Sequence, residues 1–321
     1  MSTILLTAAG SASAGSLLTR YRELGHRVIC CDIYPRSWNV TCCQADAFFQ
    51  ALPVTDQKAY LEQMEEAVKR EQVDFLLPLT DVEVDVLSKE RSRFLSLGCI
   101  VCTPGEDCVS LCRDKLRCGN HLRERGACTT IPTAPAEKFS PKEGDFPLML
   151  KPVNGRSSQG LQVVHNREQY LSALSRREDY IAQPYLSGSI LTVETARDGM
   201  GQVWAVVRRE LLRTVNGLGT TVEILPGHPL ETICGDIARE VGLLGVVNME
   251  FIEHEGQYFF LEINPRFSGG VGFVLASGVD FAGAEIAIHQ GKELGPRPEV
   301  RGMILSRRIT AEITQTNPVE N

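Results

Sequence analysis

Glu250, Glu262, Asn264 and Arg266 are the side chains whose types and spacing could do chemistry, and one stretch holds them, VNMEFIEHEGQYFFLEINPRFSGGVG from Val247 to Gly272. Its first part alternates. Val247, Met249 and Phe251 fall on one face and Asn248, Glu250 and Ile252 on the other, which reads as a strand. His254-Glu255-Gly256-Gln257 reads as a turn and Tyr258 to Ile263 as a second strand. Such a hairpin brings Glu250 near Glu262, and Glu262 and Asn264, two apart in extended chain, share a face. Two carboxylates and an amide oxygen converging at a hairpin end suit a hard divalent cation. Magnesium takes one or two carboxylates together with nucleotide phosphates. Arg266 follows on the same alternation and is placed to hold an anion. Phe267-Ser268-Gly269-Gly270 then leaves the strand as a loop of backbone amides, which can also serve an anion. On spacing alone, a surface hairpin with solvated acids stays open.

Glu-Ile-Asn-Pro-Arg-Phe-Ser-Gly-Gly at 262–270 resembles the metal-binding signature of the ATP-grasp superfamily. The likeness is to the branch that resembles the carbamoyl phosphate synthetase large chain and the carboxylate–amine ligases. It implies that Glu250, Glu262 and Asn264 hold magnesium, or manganese in its place, and that Arg266 contacts phosphate or substrate. Arg266, Lys151 and Glu262 would then be the catalytic residues.

Two further stretches carry the resemblance. Pro147 to Lys151 reads as a strand, and a glycine- and serine-rich loop follows before a strand at Leu161 to Val164. Loop amides of this kind can donate to triphosphate oxygens, with Lys151 adding a point charge; an ordinary mobile hairpin loop is the alternative. The pattern Lys151-Pro152-x-x-Gly155-x-x-Ser158-x-Gly160 resembles the family's small subdomain. It implies that Lys151 meets the α-phosphate and adenine, and that Ser157, Ser158 and Gly160 cover the outer phosphates. Gln183-Pro184-Tyr185-Leu186 resembles the hinge whose backbone touches the adenine edge. Asp114-Lys115, at the entry to the nucleotide domains, matches the position whose basic residue reaches the phosphates. One departure stands out: two residues past the hinge glycine Gly188, where the family usually carries glutamate for the ribose, this chain has Ile190. Glu194 or a residue elsewhere would have to replace it.

The elements that must position these groups follow from pattern. Thr3 to Thr7 reads as a buried strand, not a secretory segment. A small-residue loop, a helix over Leu17 to Leu24 stopped by Gly25, and a strand over His26 to Asp32 come next. Gly10 and Gly15 do not make a dinucleotide fingerprint and no P-loop is present, which argues against a nicotinamide oxidoreductase. Asp56 is placed to cap a helix running to Glu71, and Val73 to Leu79 is a strand. Asp81 and Glu83 sit just past that strand's end, where open parallel sheets hold ligands, so they are substrate candidates as well as first-turn helix acids. A helix over Asp107 to Arg125 is expected to break near Gly119. Arg208 and Arg209 point to opposite faces, so one of them, with Arg208 preferred, and Gly269 are further substrate candidates. Asn216 to Thr221 is expected as a loop over substrate. His289, near the end of a helix over Phe281 to Gln290, is expected as a favourable C-terminal charge rather than a ligand.

The expected fold is an α/β N-terminal domain with a parallel sheet, plus α+β ATP-grasp domains with antiparallel sheets. The expected divisions are 1–103, a linking helical segment 104–145, a small lid subdomain 146–187 and a large catalytic domain 188–321. The net charge of −7, with no long basic run, excludes an electrostatic case for nucleic acid. No apolar run reaches membrane-spanning length. Eleven cysteines without a CxxC…CxxC arrangement argue for reduced thiols in the cytoplasm rather than for zinc or disulfides. The expected activity is ATP-dependent ligation of a small-molecule carboxylate to an amine through an acylphosphate. A phosphotransferase of the same fold and a non-catalytic ATP-binding module are the alternatives. A homodimer through the N-terminal domain is compatible with all three.

Overall fold

Short apolar runs set the first layer. The computed structural model describes residues 1–155, 159–175 and 179–316. Strands β1 (Thr3–Leu6), β2 (Arg27–Asp32), β3 (Ala47–Gln50), β4 (Phe75–Leu77) and β5 (Ile100–Val101) form one parallel sheet in the order β3-β2-β1-β4-β5. Helices α1 (Ala14–Glu23), α2 (Val40–Gln44), α3 (Gln57–Glu71), α4 (Asp81–Leu87) and α5 (Arg91–Leu95) connect these strands. The sheet carries apolar packing on both faces, as crossover connections require. Asp56 caps α3 by accepting from the Ala59 amide. The strand order reverses between β1 and β4, so the loops after those two strands diverge and leave a crevice.

Helices α6 (Glu106–Arg113) and α7 (Lys115–Glu124) follow. The break falls at Asp114, not near Gly119, which lies inside α7. Asp114 is extended and its side chain accepts from Arg117 N. A strong N-cap therefore restarts the helix, whereas one interior glycine costs only about 1 kcal/mol and does not stop it. This restart makes Lys115 the first residue of α7.

The small sheet is antiparallel, ordered β6-β9-β7-β8, from β6 (Ala134–Pro135), β7 (Leu148–Pro152), β8 (Gln162–Val164) and β9 (Tyr180–Pro184). Helix α8 (Arg167–Leu174) packs on it through Tyr170 and Ala173. Asn166 caps α8, and Gln169 accepts from His165 N.

The large sheet is a six-stranded antiparallel layer. It comprises β10 (Ser189–Arg197), β11 (Val203–Arg213), β12 (Gly219–Ile224), β13 (Gly245–His254), β14 (Gln257–Asn264) and β15 (Met303–Ser306), ordered β14-β13-β10-β11-β12-β15. Gly219 to Thr221 belong to β12, so the expected loop is shorter, because β12 pairs with β11 up to Gly219. Helix α9 (Leu230–Glu240) buries Leu230, Cys234 and Ile237 against Leu191, Val193, Val207 and Met249 on one face. Helices α10 (Val271–Ala276) and α11 (Phe281–His289) cover part of the other face. There the N-terminal sheet joins the same core: Leu6, Leu17 and Leu77 share a cluster with Val206, Val222 and Phe281. No helix among the described residues is long and apolar enough to cross a membrane.

Candidate active site

Pairing across the large sheet lines up the polar residues. Arg208, Thr192, Glu250 and Glu262 are successive partners on β11, β10, β13 and β14. The next row runs Val206, Glu194, Asn248, Asn264. Partner side chains share a face at about 5 Å spacing, so the two acids face one another, and Asn264 lies two residues along from Glu262. A register shift after Glu250 is what allows this. Phe251 pairs with Phe260 and Glu250 with Glu262, leaving Leu261 as the extra residue. Without that bulge Phe260 and Glu262 would share a face. With it, Phe260 packs in the core against Phe251 while Glu262 opens into the cleft.

The acids sit at the junction of two cavities. One, about 310 Å³, is an apolar slot between the small and large sheets, walled by Met149, Ile131 and Leu161 on one side and Ile190, Ile252 and Leu261 on the other. Gln183, Pro184, Tyr185 and Leu186 close its end. Tyr185 N donates to Pro147 O, and Gln183 Nε2 to Thr133 Oγ1, which fixes this connection to the small sheet. The other cavity, about 530 Å³, is a polar chamber between the C-terminal ends of β1 and β4 and the large sheet. Arg213, Glu250 and Glu262 line both.

Two lysines face this junction. Lys115 Nζ lies 3.2 Å from Glu262 Oε2 and donates to Gly155 O at 2.6 Å. Lys151 is 6% exposed, and burial pushes its ammonium down to about 8 against the pull of Glu262. Burial raises the Glu262 carboxyl, but Lys115 and Lys151 outweigh it and leave the pKa below the usual range. Glu250, on the side away from the lysines, is pushed up by burial and by Glu262. The donor set fits a hard cation. It offers two opposed carboxylates whose mutual repulsion a dication would relieve, Asn264 beside them, and an Asn248 Oδ1 that is buried with no hydrogen-bond partner.

The chamber holds Asp81, Arg208, Arg266 and Gly269. Arg266 grips Asp81 with two contacts, Nε to Oδ1 at 3.1 Å and Nη2 to Oδ2 at 2.8 Å, joining the large sheet to the loop after β4. Of the two adjacent arginines, Arg208 is the buried one, at 2% exposed, paired with Glu194 and Glu210. Arg209 lies on the other face with Glu223 and Glu253. Gly269 lines the chamber, and its carbonyl accepts from Arg307 Nη2. Gly160 lies beside the slot's small-sheet wall in the turn before β8, while Ser157 and Ser158 fall outside the described residues.

Two expectations are corrected. Glu83 does not face the chamber. Burial pushes its carboxyl up, Thr80 Oγ1 donates to it at 2.6 Å, and it borders a separate cavity beside Tyr60. Glu194 does not stand in for a ribose contact, because it is fully buried and held by Arg208, Ser268 N and Ser268 Oγ. His289 lies in the last turn of α11 as expected, with its side chain 1% exposed and bonded to Glu285.

Sequence reasoning missed Arg213, Asn248 and Arg307. Simple alternation from Arg208 sends Arg213 to the wrong face, but register shifts between Glu210 and Arg213 turn it into the cleft, 3.4 Å from Glu250 Oε2. Asn248 was legible, sharing a face with Glu250. Arg307, just past β15, bonds the carbonyls of Gly219 and Gly269 and lies over the Phe273 ring, which no local pattern signals.

Comparison with known proteins agrees with this architecture. Residues 4–102 match the family described as "PylC-like, N-terminal domain". Residues 176–312 match the one described as "ATP-grasp in the biosynthetic pathway with Ter operon". The chain therefore carries an ATP-grasp domain behind a PylC-like N-terminal domain, and the resemblance read at residues 262–270 holds. Among curated relatives, the carbamoyl phosphate synthase large chain of Clostridium beijerinckii is 27% identical over 168 residues, 47% of this chain and 16% of the relative. That of Thermomicrobium roseum is 25% identical over 213 residues, 59% of this chain and 19% of the relative. The chain thus spans only a small part of those relatives' length. Among solved structures, biotin carboxylase from Campylobacter jejuni superposes with a TM-score of 0.75 at 19% identity, covering 92% of this chain and 72% of that one. L-amino acid ligase from Bacillus licheniformis gives 0.72 at 14%, covering 93% and 75%. N5-carboxyaminoimidazole synthetase from Staphylococcus aureus gives 0.71 at 15%, covering 94% and 81%.

Proposed function

We propose that this chain is an ATP-dependent ligase that joins a carboxylate to an amine, or a comparable nucleophile, through an acylphosphate. The observation that carries the reading is the placement of Glu250 and Glu262 where the apolar slot opens into the polar chamber, with Lys115 and Lys151 beside them. A purine fits the slot, its phosphates reach the lysines, and a small carboxylate enters the chamber. Magnesium or manganese would be held by Glu250, Glu262 and Asn264 and would supply neutralising charge to the phosphates.

A substrate carboxylate oxygen attacks the γ-phosphorus, the bond to the β–γ bridging oxygen breaks, and ADP departs. The amine nitrogen then attacks the acyl carbon, the bond from that carbon to the phosphate's bridging oxygen breaks, and phosphate leaves with the amine proton passing to solvent. Lys115 and Lys151 hold phosphate oxygens. Tyr185 and Leu186 meet the adenine edge. Arg266, oriented by Asp81, holds the acyl or phosphoryl oxygens. Arg208 acts on substrate through the loop at Ser268 and Gly269. Such chemistry rests on positioning and electrostatics, with no covalent enzyme intermediate.

In this reading the chain divides into 1–103, 104–145, 146–187 and 188–321. All eleven cysteines are free, which supports a reducing, cytoplasmic setting. ADP and phosphate release is measured with magnesium and ATP against pooled amino acids and small carboxylic acids. Release that requires one pool and vanishes in Glu262→Gln supports the ligase. Release of ADP with a phosphorylated product that never acylates an amine would make the chain a phosphotransferase. ATP binding without release in any pool would leave a non-catalytic module.

A further inference from the structure

A second convergence of metal-ligating atoms lies away from the cleft, at the seam between the N-terminal sheet and α11. Cys102 follows β5, and Glu285 and His289 stand one turn apart on α11. The Cys102 thiol, a Glu285 oxygen and a His289 ring nitrogen all lie within 4.8 Å of one another. Cys102 is 5% exposed, and the side chains of Glu285 and His289 are 3% and 1% exposed. The ligase chemistry proposed above uses none of them.

The site's polar atoms are only partly satisfied. Glu285 Oε2 accepts from Val246 N at 2.6 Å, and Oε1 lies 3.1 Å from His289 Nε2. The Tyr21 hydroxyl, from α1, is fully buried without a hydrogen-bond partner. Tyr21 packs in the same core cluster as Cys102 and the α11 residues Ile286 and Ile288. A buried hydroxyl with no partner is costly. The chain also keeps room here. Gly245, at a φ of +105°, would place a Cβ 3.1 Å from both Glu285 Oε2 and His289 Nε2.

We propose that Cys102, Glu285 and His289 form a structural site for a divalent ion of the zinc class. One sulfur, one imidazole nitrogen and one carboxylate oxygen suit zinc rather than magnesium. The charges close: a thiolate and a carboxylate balance the dication while imidazole stays neutral, so the buried site carries no net charge. Binding breaks the Glu285–His289 hydrogen bond, forms metal bonds to both, and releases the Cys102 thiol proton to solvent. Zinc bonds of about 2.0–2.3 Å require the donors to close in by roughly 1 Å. The ion would bolt the end of β5 to α11, fixing the wall of the chamber that the N-terminal domain supplies.

The full chain, stripped with a chelator and held reduced with a phosphine, is titrated with Co²⁺ alone. The expected result is about one tight equivalent with a near-ultraviolet thiolate-to-cobalt charge-transfer band, displaced by Zn²⁺, and a higher melting temperature. The oxygen-donor set in the cleft gives no sulfur band, so Glu262→Gln leaves it intact. Cys102→Ser abolishes it, Cys108→Ser retains it, and His289→Gln, with its circular dichroism unchanged, weakens cobalt binding at least about 10-fold. Absence of the band in the wild-type chain, or its survival in Cys102→Ser, overturns the proposal. Neither result bears on nucleotide turnover.

Discussion

Replacing Lys151 by methionine removes a buried ammonium and keeps most of its aliphatic contacts. Lys151 is 6% exposed and its pKa falls from 10.5 to about 8. Holding the charged form in the folded protein at neutral pH therefore costs about 3 kcal/mol relative to the unfolded chain. Since the folded pKa lies below the unfolded one, the cost is present in full below about pH 8 and has vanished above about pH 10.4. Lys151→Met should stabilise the free protein by roughly 1–3 kcal/mol at pH 7, allowing for imperfect repacking. Near pH 10.4 the two proteins should converge. The same change removes a charge-assisted contact to phosphate and should weaken ATP binding about 10- to 100-fold. In the wild type, kcat/KM should fall as pH rises through about 8, when Lys151 loses its proton. That limb should be missing in the variant. Thermal melts at pH 7 and pH 10, with calorimetric titration of ATP, read both effects. A lower melting temperature at pH 7 together with unchanged ATP affinity would refute the reasoning, because it would make Lys151 a structural residue.

Other consequences are separable. Glu262→Gln should lower magnesium-dependent turnover at least about 100-fold, read as kcat/KM; manganese in place of magnesium should not restore it fully. Arg208→Met strands Glu194, which is fully buried, and should destabilise by about 3–5 kcal/mol in denaturant melts. Arg209→Met, on the half-exposed face, should change stability by less than about 1 kcal/mol. Gly188→Ala would set a Cβ 1.9 Å from the Glu253 carbonyl oxygen, so the hinge must shift. The cost, about 1–3 kcal/mol, should appear mainly in the KM for ATP; an unchanged KM would show that the slot does not hold the nucleotide.

Local rules in the sequence determined more of this protein than its low identity to known structures suggests. Alternation and turn chemistry placed the hairpin of β13 and β14, and the capping residue Asp56 placed α3, because these depend on neighbours within a few residues. The acids Glu250 and Glu262 were legible for the same reason. Ile190 also stood out in the sequence, and it does line the slot. What failed locally was parity across a bulge: Arg213 reaches the cleft through register shifts set by pairing with β12, which no window around it contains. Partners distant in the chain were equally closed to sequence. Asp81 and Arg266 stand 185 residues apart, Glu194 is held by Ser268, and Arg307 returns from the far edge of the sheet to bond Gly269. Residue types and periods express short-range preferences of the backbone, so they fix which groups are available. Which of those groups meet, which are neutralised and which lose water depends on strand register and domain docking, and only the tertiary structure decides that.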